Sequence, residues 1–233
     1  MATWKSPFNH NLLAALAFAL PLQGCGDLDR IKVAMDDRIV KVASKNPIDA
    51  SRTGVAFMSL GKGDSTCSTG IFSIFFRPLD GSLPGMSFDA VVSNLFGVSN
   101  AVMRNPDFCV EVIGMSLPPG NYQITGSKWF SDTGMQTVRV SHDNQTGVPF
   151  TIKAGEVTYL GSFQMVFAFD KGFLGKTVLV GGRYGVSDDL QRDKQKLDEM
   201  RPELKALPVI EQLPPDDNGP DGFPRIPRRE TSS

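Results

Sequence analysis

Val157-Thr158-Tyr159-Leu160-Gly161-Ser162-Phe163-Gln164-Met165-Val166-Phe167-Ala168-Phe169 is the longest patterned run in the chain. Val157, Tyr159, Phe163, Met165, Phe167 and Phe169 fall on alternate positions, with Gly161 in place of one of them. A period of two is that of a strand with one buried face, not of a helix. Gly161 is a candidate bulge or bend, which a strand of this length often needs. The Phe side chains read as core. The alternative is a carrier of apolar ligands that uses them as a lining.

The same signature spreads outward in both directions. Phe150 and Ile152 precede the loop residues Lys153-Ala154-Gly155-Glu156, which suits a hairpin into the long run. Upstream, Gln136, Val138 and Val140 alternate after the turn Ser131-Asp132-Thr133-Gly134, and Tyr122, Ile124 and Gly126 open a strand toward Trp129 after Pro118-Pro119-Gly120-Asn121. Phe108, Val110 and Val112 alternate with Cys109, Glu111 and Ile113. Gly70 to Arg77 is apolar on both faces, as a central strand would be, and Val55 to Leu60 is stopped by Gly61-Lys62-Gly63-Asp64. Between these, Asp80-Gly81 and Pro84-Gly85 are turns, and Leu95 to Val98 fits a loop or a short strand. Downstream, Thr177 to Tyr184 reads as the last strand. Seven to nine short strands with no helical pattern among them, in a chain with 16 Phe, 23 Gly and 16 Pro, predict an all-β fold, an antiparallel β-sandwich.

Two stretches carry a resemblance at this point. Leu117-Pro118-Pro119-Gly120-Asn121-Tyr122, and Phe150 to Tyr159 with its Ala154-Gly155-Glu156 step, are similar to the turn-to-strand steps of prealbumin-like (Ig-like) sandwiches in exported bacterial proteins. About forty residues are covered. The resemblance implies a fold and no activity.

After the last strand the pattern changes. Ser187 reads as a helix N-cap, with Asp188 and Asp189 at the positive end of the helix dipole. Leu190, Leu197 and Met200 recur at helical spacing before Pro202, and Arg192, Asp193, Lys194, Lys196, Asp198 and Glu199 read as a solvated face. A partner-binding helix is the alternative. Pro214, Pro215, Pro220, Pro224 and Pro227, set among Asp, Asn, Gly and Arg, predict a tail that buries little and stays disordered.

At the other end, Lys5 precedes the apolar run Leu12 to Leu20, which Pro21 and Gln23 interrupt. The run is too short for a membrane span, which takes roughly 20 apolar residues, and its three-part form is that of an export signal. Leu22-Gln23-Gly24-Cys25 closes it. Leu22, Gly24 and Cys25 resemble the lipobox of bacterial lipoproteins, from which Gln23 departs. The resemblance, confined to residues 1–25, implies a diacylglycerol thioether on Cys25, cleavage before it and acylation of the new terminus. Two or more acyl chains hold a protein firmly at a membrane. Gly26 instead of Asp implies, by analogy with enterobacterial sorting, the outer membrane.

The expected organisation is therefore a signal peptide over 1–24, the lipidated Cys and a tether over 25–50, a β-sandwich over 51–186, an amphipathic helix over 187–204 and a disordered Pro-rich tail over 205–233. Removing residues 1–24 takes away Lys5 and no acid, leaving 209 residues with 23 basic against 25 acidic. That near-neutral balance gives no footprint for nucleic acid. Partners are expected to be the membrane, through the lipid, and an envelope protein. Of the 3 Cys, Cys67 and Cys109 then remain as an even pair in an oxidising compartment, a disulfide candidate closing a loop of about 43 residues worth about 4 kcal/mol. Two unpaired thiols are the alternative.

No catalytic set stands out. His10 lies in the signal, so a Ser-His-Asp triad would have to use His142, whose neighbours Ser141, Asp143, Asn144 and Gln145 read as a polar surface turn. Cys and His are too few for zinc, and no metal or other cofactor is expected. Gly175-Lys176-Thr177 lacks the earlier Gly of a P-loop and opens a strand, not a helix. Two carboxylates acting as an acid–base pair remain as the enzyme alternative, an envelope hydrolase, which requires a cleft with a strongly perturbed Asp or Glu. The reading is a non-enzymatic binding or structural module.

Overall fold

In the computed structural model the described residues are 40–41, 48–63, 70–92, 102–105, 108–132, 137–172, 175, 177–218 and 222–226, all within the compact unit Asp36–Ser233. They form an all-β fold of two sheets with one short helix. The strands are β1 (Val40–Lys41), β2 (Gly54–Lys62), β3 (Gly70–Pro78), β4 (Met86–Val92), β5 (Val102–Asn105), β6 (Phe108–Leu117), β7 (Gly120–Asp132), β8 (Thr137–Ile152), β9 (Val157–Lys171), β10 (Thr177–Ser187) and β11 (Val209–Glu211). The helix α1 spans Leu190–Met200 and a 3₁₀ turn follows at Pro202–Leu204.

The larger sheet runs β1-β6-β2-β9-β10, with β5 also on β6 and β11 also on β9; the smaller runs β4-β3-β7-β8. Pairing is antiparallel except for β2 and β11, which flank β9 in parallel. The two sheets face each other across a core that includes Met58, Leu60, Phe72, Ile74, Phe76, Phe88, Tyr122, Trp129, Phe150 and Phe163. A second apolar layer lies on the other face of the larger sheet, where Val55, Phe57, Val112, Val157 and Tyr159 pack against Leu197 and Leu204. This second layer explains why β2 has no polar face in its sequence. All nine of its residues are buried, alternate ones against the smaller sheet and against α1.

Gly161 does more than bend β9. Its φ of +114° is open to glycine at little cost, and a Cβ there would stand 2.7 Å from Val186 Cγ1. Between Phe57 and Ser59 of β2, β9 advances from Tyr159 to Ser162, one residue more. The extra residue reverses the alternation. Val157 and Tyr159 belong to the layer under α1, whereas Phe163 and Met165 belong to the core between the sheets. The single apolar face read from residues 157–169 is thus two half-faces, and Phe169 ends 60 % exposed.

Four further expectations differ from the structure. The loop Lys153 to Glu156 is not a hairpin but a crossing between the sheets, since β8 and β9 belong to different ones. The polar turn expected around His142 lies inside β8; the strand passes through and spends Asn144 to Gly147 where β7 spends Thr125 alone. Ser187 is the last residue of β10, and the N-cap position of α1 is Asp189, whose side chain makes no cap bond. The tail expected to be disordered over 205–233 is in part built into the fold. β11 pairs with β9, the backbone N–H of Val186 donates to Pro224 O and that of Ile226 to Val186 O. Phe223 is 4 % exposed and packs edge-on against Phe163 at 5.2 Å. The prolines leave few backbone donors, so this segment is held by one large side chain and by bonds to the strand edge. Composition does not register either.

Candidate functional site

Two groups of polar side chains are gathered by the fold. The first lies between α1 and the outer face of β2, β9 and β10. Asp193 is 0 % exposed. Its Oδ2 accepts from Ser59 Oγ at 2.7 Å and from Tyr159 OH at 2.9 Å, and its Oδ1 accepts from Arg192 Nε at 2.8 Å and Nη2 at 2.7 Å. The guanidinium of Arg192 also reaches Ser162 Oγ at 3.0 Å and Asp189 Oδ2 at 3.2 Å, and lies 4.4 Å over the Phe108 ring. Gln164 Nε2 donates to Ser162 Oγ and Ser187 Oγ, and Ser187 Oγ donates to Asp189 Oδ2. Burial raises the Asp193 carboxyl from 3.8 to about 6, against the pull of Arg192, Ser59 and Tyr159, which favour the ionised form. Burial and the neighbouring Asp193 likewise raise the Tyr159 phenol.

This is the perturbed carboxyl that a hydrolase would require, but its setting is that of a fastener. All its bonds go to the helix it sits on and to the sheet below. Asp193 lines neither the cleft described next nor the shallow groove beside α1 formed by Leu190, Lys194, Asp198 and Val209. No histidine joins it. The expected solvated face of the helix is corrected here: Asp193 points inward because Ser59, Ser162 and Tyr159 leave a polar patch on the strands that must be satisfied.

The second group lines a cleft of about 170 Å³ on the open side of the sandwich, where β10 of one sheet passes over β7 and β8 of the other. Ser127 of β7 and His142 of β8 are direct cross-strand partners. Arg183 and Tyr184 come from β10, and Asn218, Gly222, Phe223 and Pro224 also line the cleft. Gly185 lets the segment 222–226 approach: a Cβ there would stand 2.3 Å from Ile226 Cγ1. His142 Nε2 lies 3.2 Å from Gly182 O, so the pairing assigns its proton to Nε2. Tyr184 OH donates to Lys128 O at 2.8 Å. Ser127 is 1 % exposed, and its Oγ has no hydrogen-bond partner in the protein, a state that costs about 1–3 kcal/mol. Ser127 and His142 are neighbours but no hydrogen bond joins them, so the cleft lacks the nucleophile–base contact of acyl-transfer chemistry.

Sequence reasoning missed Ser127, Arg183 and Asn218 altogether. The only signal was the parity that puts Ser127 on the inward face with Trp129, and it could not name the strands opposite. Of the residues it did single out, Cys25 and Cys67 lie outside the described residues. Cys109 is fully buried and disulfide-bonded. Among the described residues no group of three or more His, Cys, Asp or Glu is placed to hold a metal, and no helix is long and apolar enough to cross a membrane. No protein-family model, curated protein or solved structure matches this chain.

Proposed function

We propose that this protein is a membrane-anchored envelope lipoprotein acting as a non-enzymatic binding or structural module, held by acyl chains on Cys25 and facing its partners with the β-sandwich. The anchor rests on Leu22-Gln23-Gly24-Cys25 and on the apolar run before it. The binding reading is supported by one observation above all: the cleft at Ser127, His142 and Arg183 presents hydrogen-bonding groups without a nucleophile–base contact. The partially exposed, polar character of that cleft suits recognition of a ligand or of a partner's side chain. Gly26 after the acceptor Cys favours the outer membrane.

Metabolic labelling with an alkyne fatty acid tests the anchor. The wild type should take up label and partition with membranes, and Cys25→Ser should do neither. Unlabelled wild-type protein would reject the anchor and with it the proposed address.

A further inference from the structure

We propose that the protein forms a twofold-symmetric dimer through the outer face of its smaller sheet. The outer face of the larger sheet is covered by α1. That of the smaller sheet carries Ile71, Phe75 and Val91, three of the seven exposed large apolar side chains among the described residues. Alternation explains why they stand together. Phe72, Ile74 and Phe76 of β3, and Phe88 and Ala90 of β4, take the core side, so the residues between them take the other. The register sets Val91 beside Ile71, and Ile71 beside Phe130 of β7. The result is an apolar row across three strands, with Val91 55 % and Ile71 42 % exposed. Arg139 of β8 ends the row, its guanidinium 5.7 Å over the Phe130 ring. Large apolar side chains grouped on one surface, not scattered singly, mark a place that another surface covers.

The arrangement selects a second copy as that cover. Ile71 has Val91 on one side and Phe130 on the other, and Ser73, the next outward residue of β3, has Asp89 and Lys128 in the same two places. A twofold axis running along β3 exchanges the two sides. It sets Ile71 against its own copy, Val91 against the partner's Phe130 and Asp89 against the partner's Lys128. Apolar meets apolar and each charge meets its opposite, twice over, as a self-complementary interface requires. An axis across the strands fails the same test, because it sets Asp89 against its own copy or against Val91. Two such faces stack at about 10 Å with their strands within about 30° of each other, as the layers of a sandwich do. Four strands wide and nine residues long at β3, the face measures roughly 20 Å by 30 Å. Covering it on both copies buries on the order of 1,200 Å², the lower end for specific pairs, which predicts a reversible, micromolar dimer.

The test is analytical sedimentation of the full chain from about 1 μM to about 1 mM, a range that brackets such a dimer. Mild detergent keeps the N-terminal apolar run from driving association. Wild type should pass from monomer to dimer as concentration rises. Asp89→Lys and Lys128→Asp each put like charges face to face and should each weaken association at least about tenfold, whereas the double reversal restores the pair and should return it to within about threefold of wild type. Rescue by the double reversal also shows that the single variants fail at the interface and not in folding. Ile71→Thr keeps a β-branched side chain, loses apolar surface at the axis and should weaken association about tenfold, because the change counts twice. None of these residues lines the cleft at His142, so the result is independent of the binding reading. A monomer throughout the range would overturn the proposal. A dimer that neither single reversal weakens would place the contact elsewhere on the chain and overturn it too, as would single reversals that the double reversal fails to rescue.

Discussion

At the scale of single residues, Asp193 carries the clearest consequences. Its two oxygens accept from one strand serine, one strand tyrosine and one helix arginine. Removing the carboxylate takes the acceptor from the buried Tyr159 hydroxyl and leaves Arg192 with Asp189 and the hydroxyls of Ser59 and Ser162. Breaking a buried pair from one side typically costs about 3–5 kcal/mol, and Asp193→Ala should lose about 3 kcal/mol in denaturant unfolding at pH 7. The group also sets a pH dependence. Its folded value of about 6 lies above the ordinary 3.8, so the folded protein holds this proton more tightly than the unfolded chain. The resulting stability is present in full below about pH 3.8 and is lost as pH rises to about 6, about 3 kcal/mol at roughly 1.4 kcal/mol per unit. Asp49, Asp80 and Glu203 are lowered and act in the opposite direction. The readout is therefore the difference between wild type and Asp193→Asn, measured at pH 4 and pH 6.5. Wild type should lose stability relative to the variant over that range, and a constant difference would contradict the assignment. Little of this was legible beforehand. The helical spacing of Leu190, Leu197 and Met200 gave the apolar stripe, and all three join the layer under the helix. Asp193 sits in a run of charged residues, and nothing there says that Ser59 meets it, and Ser162 its partner Arg192, from 134 and 30 residues away.

At the scale of elements, two small pieces seal the sandwich. The helix α1 covers the outer face of the larger sheet, and the segment 222–226 covers its β10 edge. A strand edge left open is a template for unwanted pairing, and the bonds from Val186 to Pro224 and Ile226 close part of this one. The segment is held chiefly by Phe223 against Phe163. Truncating a buried Phe typically costs about 3–5 kcal/mol, and Phe223→Ala should fall near the low end because the segment can lift away. Faster amide exchange at Val186 and Ile226 should accompany the loss, and unchanged protection there would show that the bonds to the edge suffice. The strands were legible where hydrophobic alternation met turn residues, as in β6, β7 and β9, and β3 as a short run apolar on both faces. The segment 222–226 was not, because a single aromatic among prolines has no period to read.

At the scale of the whole molecule, the disulfide on buried Cys109 ties β6 to another part of the chain. A native disulfide usually contributes about 2–5 kcal/mol. Reduction should lower the unfolding midpoint of the wild type. If Cys67 is the partner, Cys67→Ser should reproduce that loss under oxidising conditions and show no further change on reduction. A Cys67→Ser protein as stable as the oxidised wild type would exclude the pairing. Such a bond suits an oxidising compartment.

What the sequence determined by itself is the fold class. Two-residue alternation and turn residues are local properties, and steric preference plus burial of one face turns them directly into strands and sheets. What only the tertiary structure decided is which polar residues meet. Ser59, Tyr159, Ser162 and Asp193 come together under a helix, and Ser127, His142, Arg183 and Asn218 around a cleft, because strands distant in sequence are stacked and registered by the core. The bulge at Gly161 shows the reason in miniature. One extra residue, invisible as a change in composition, turns half of a strand over and so chooses which side chains face the helix and which the core.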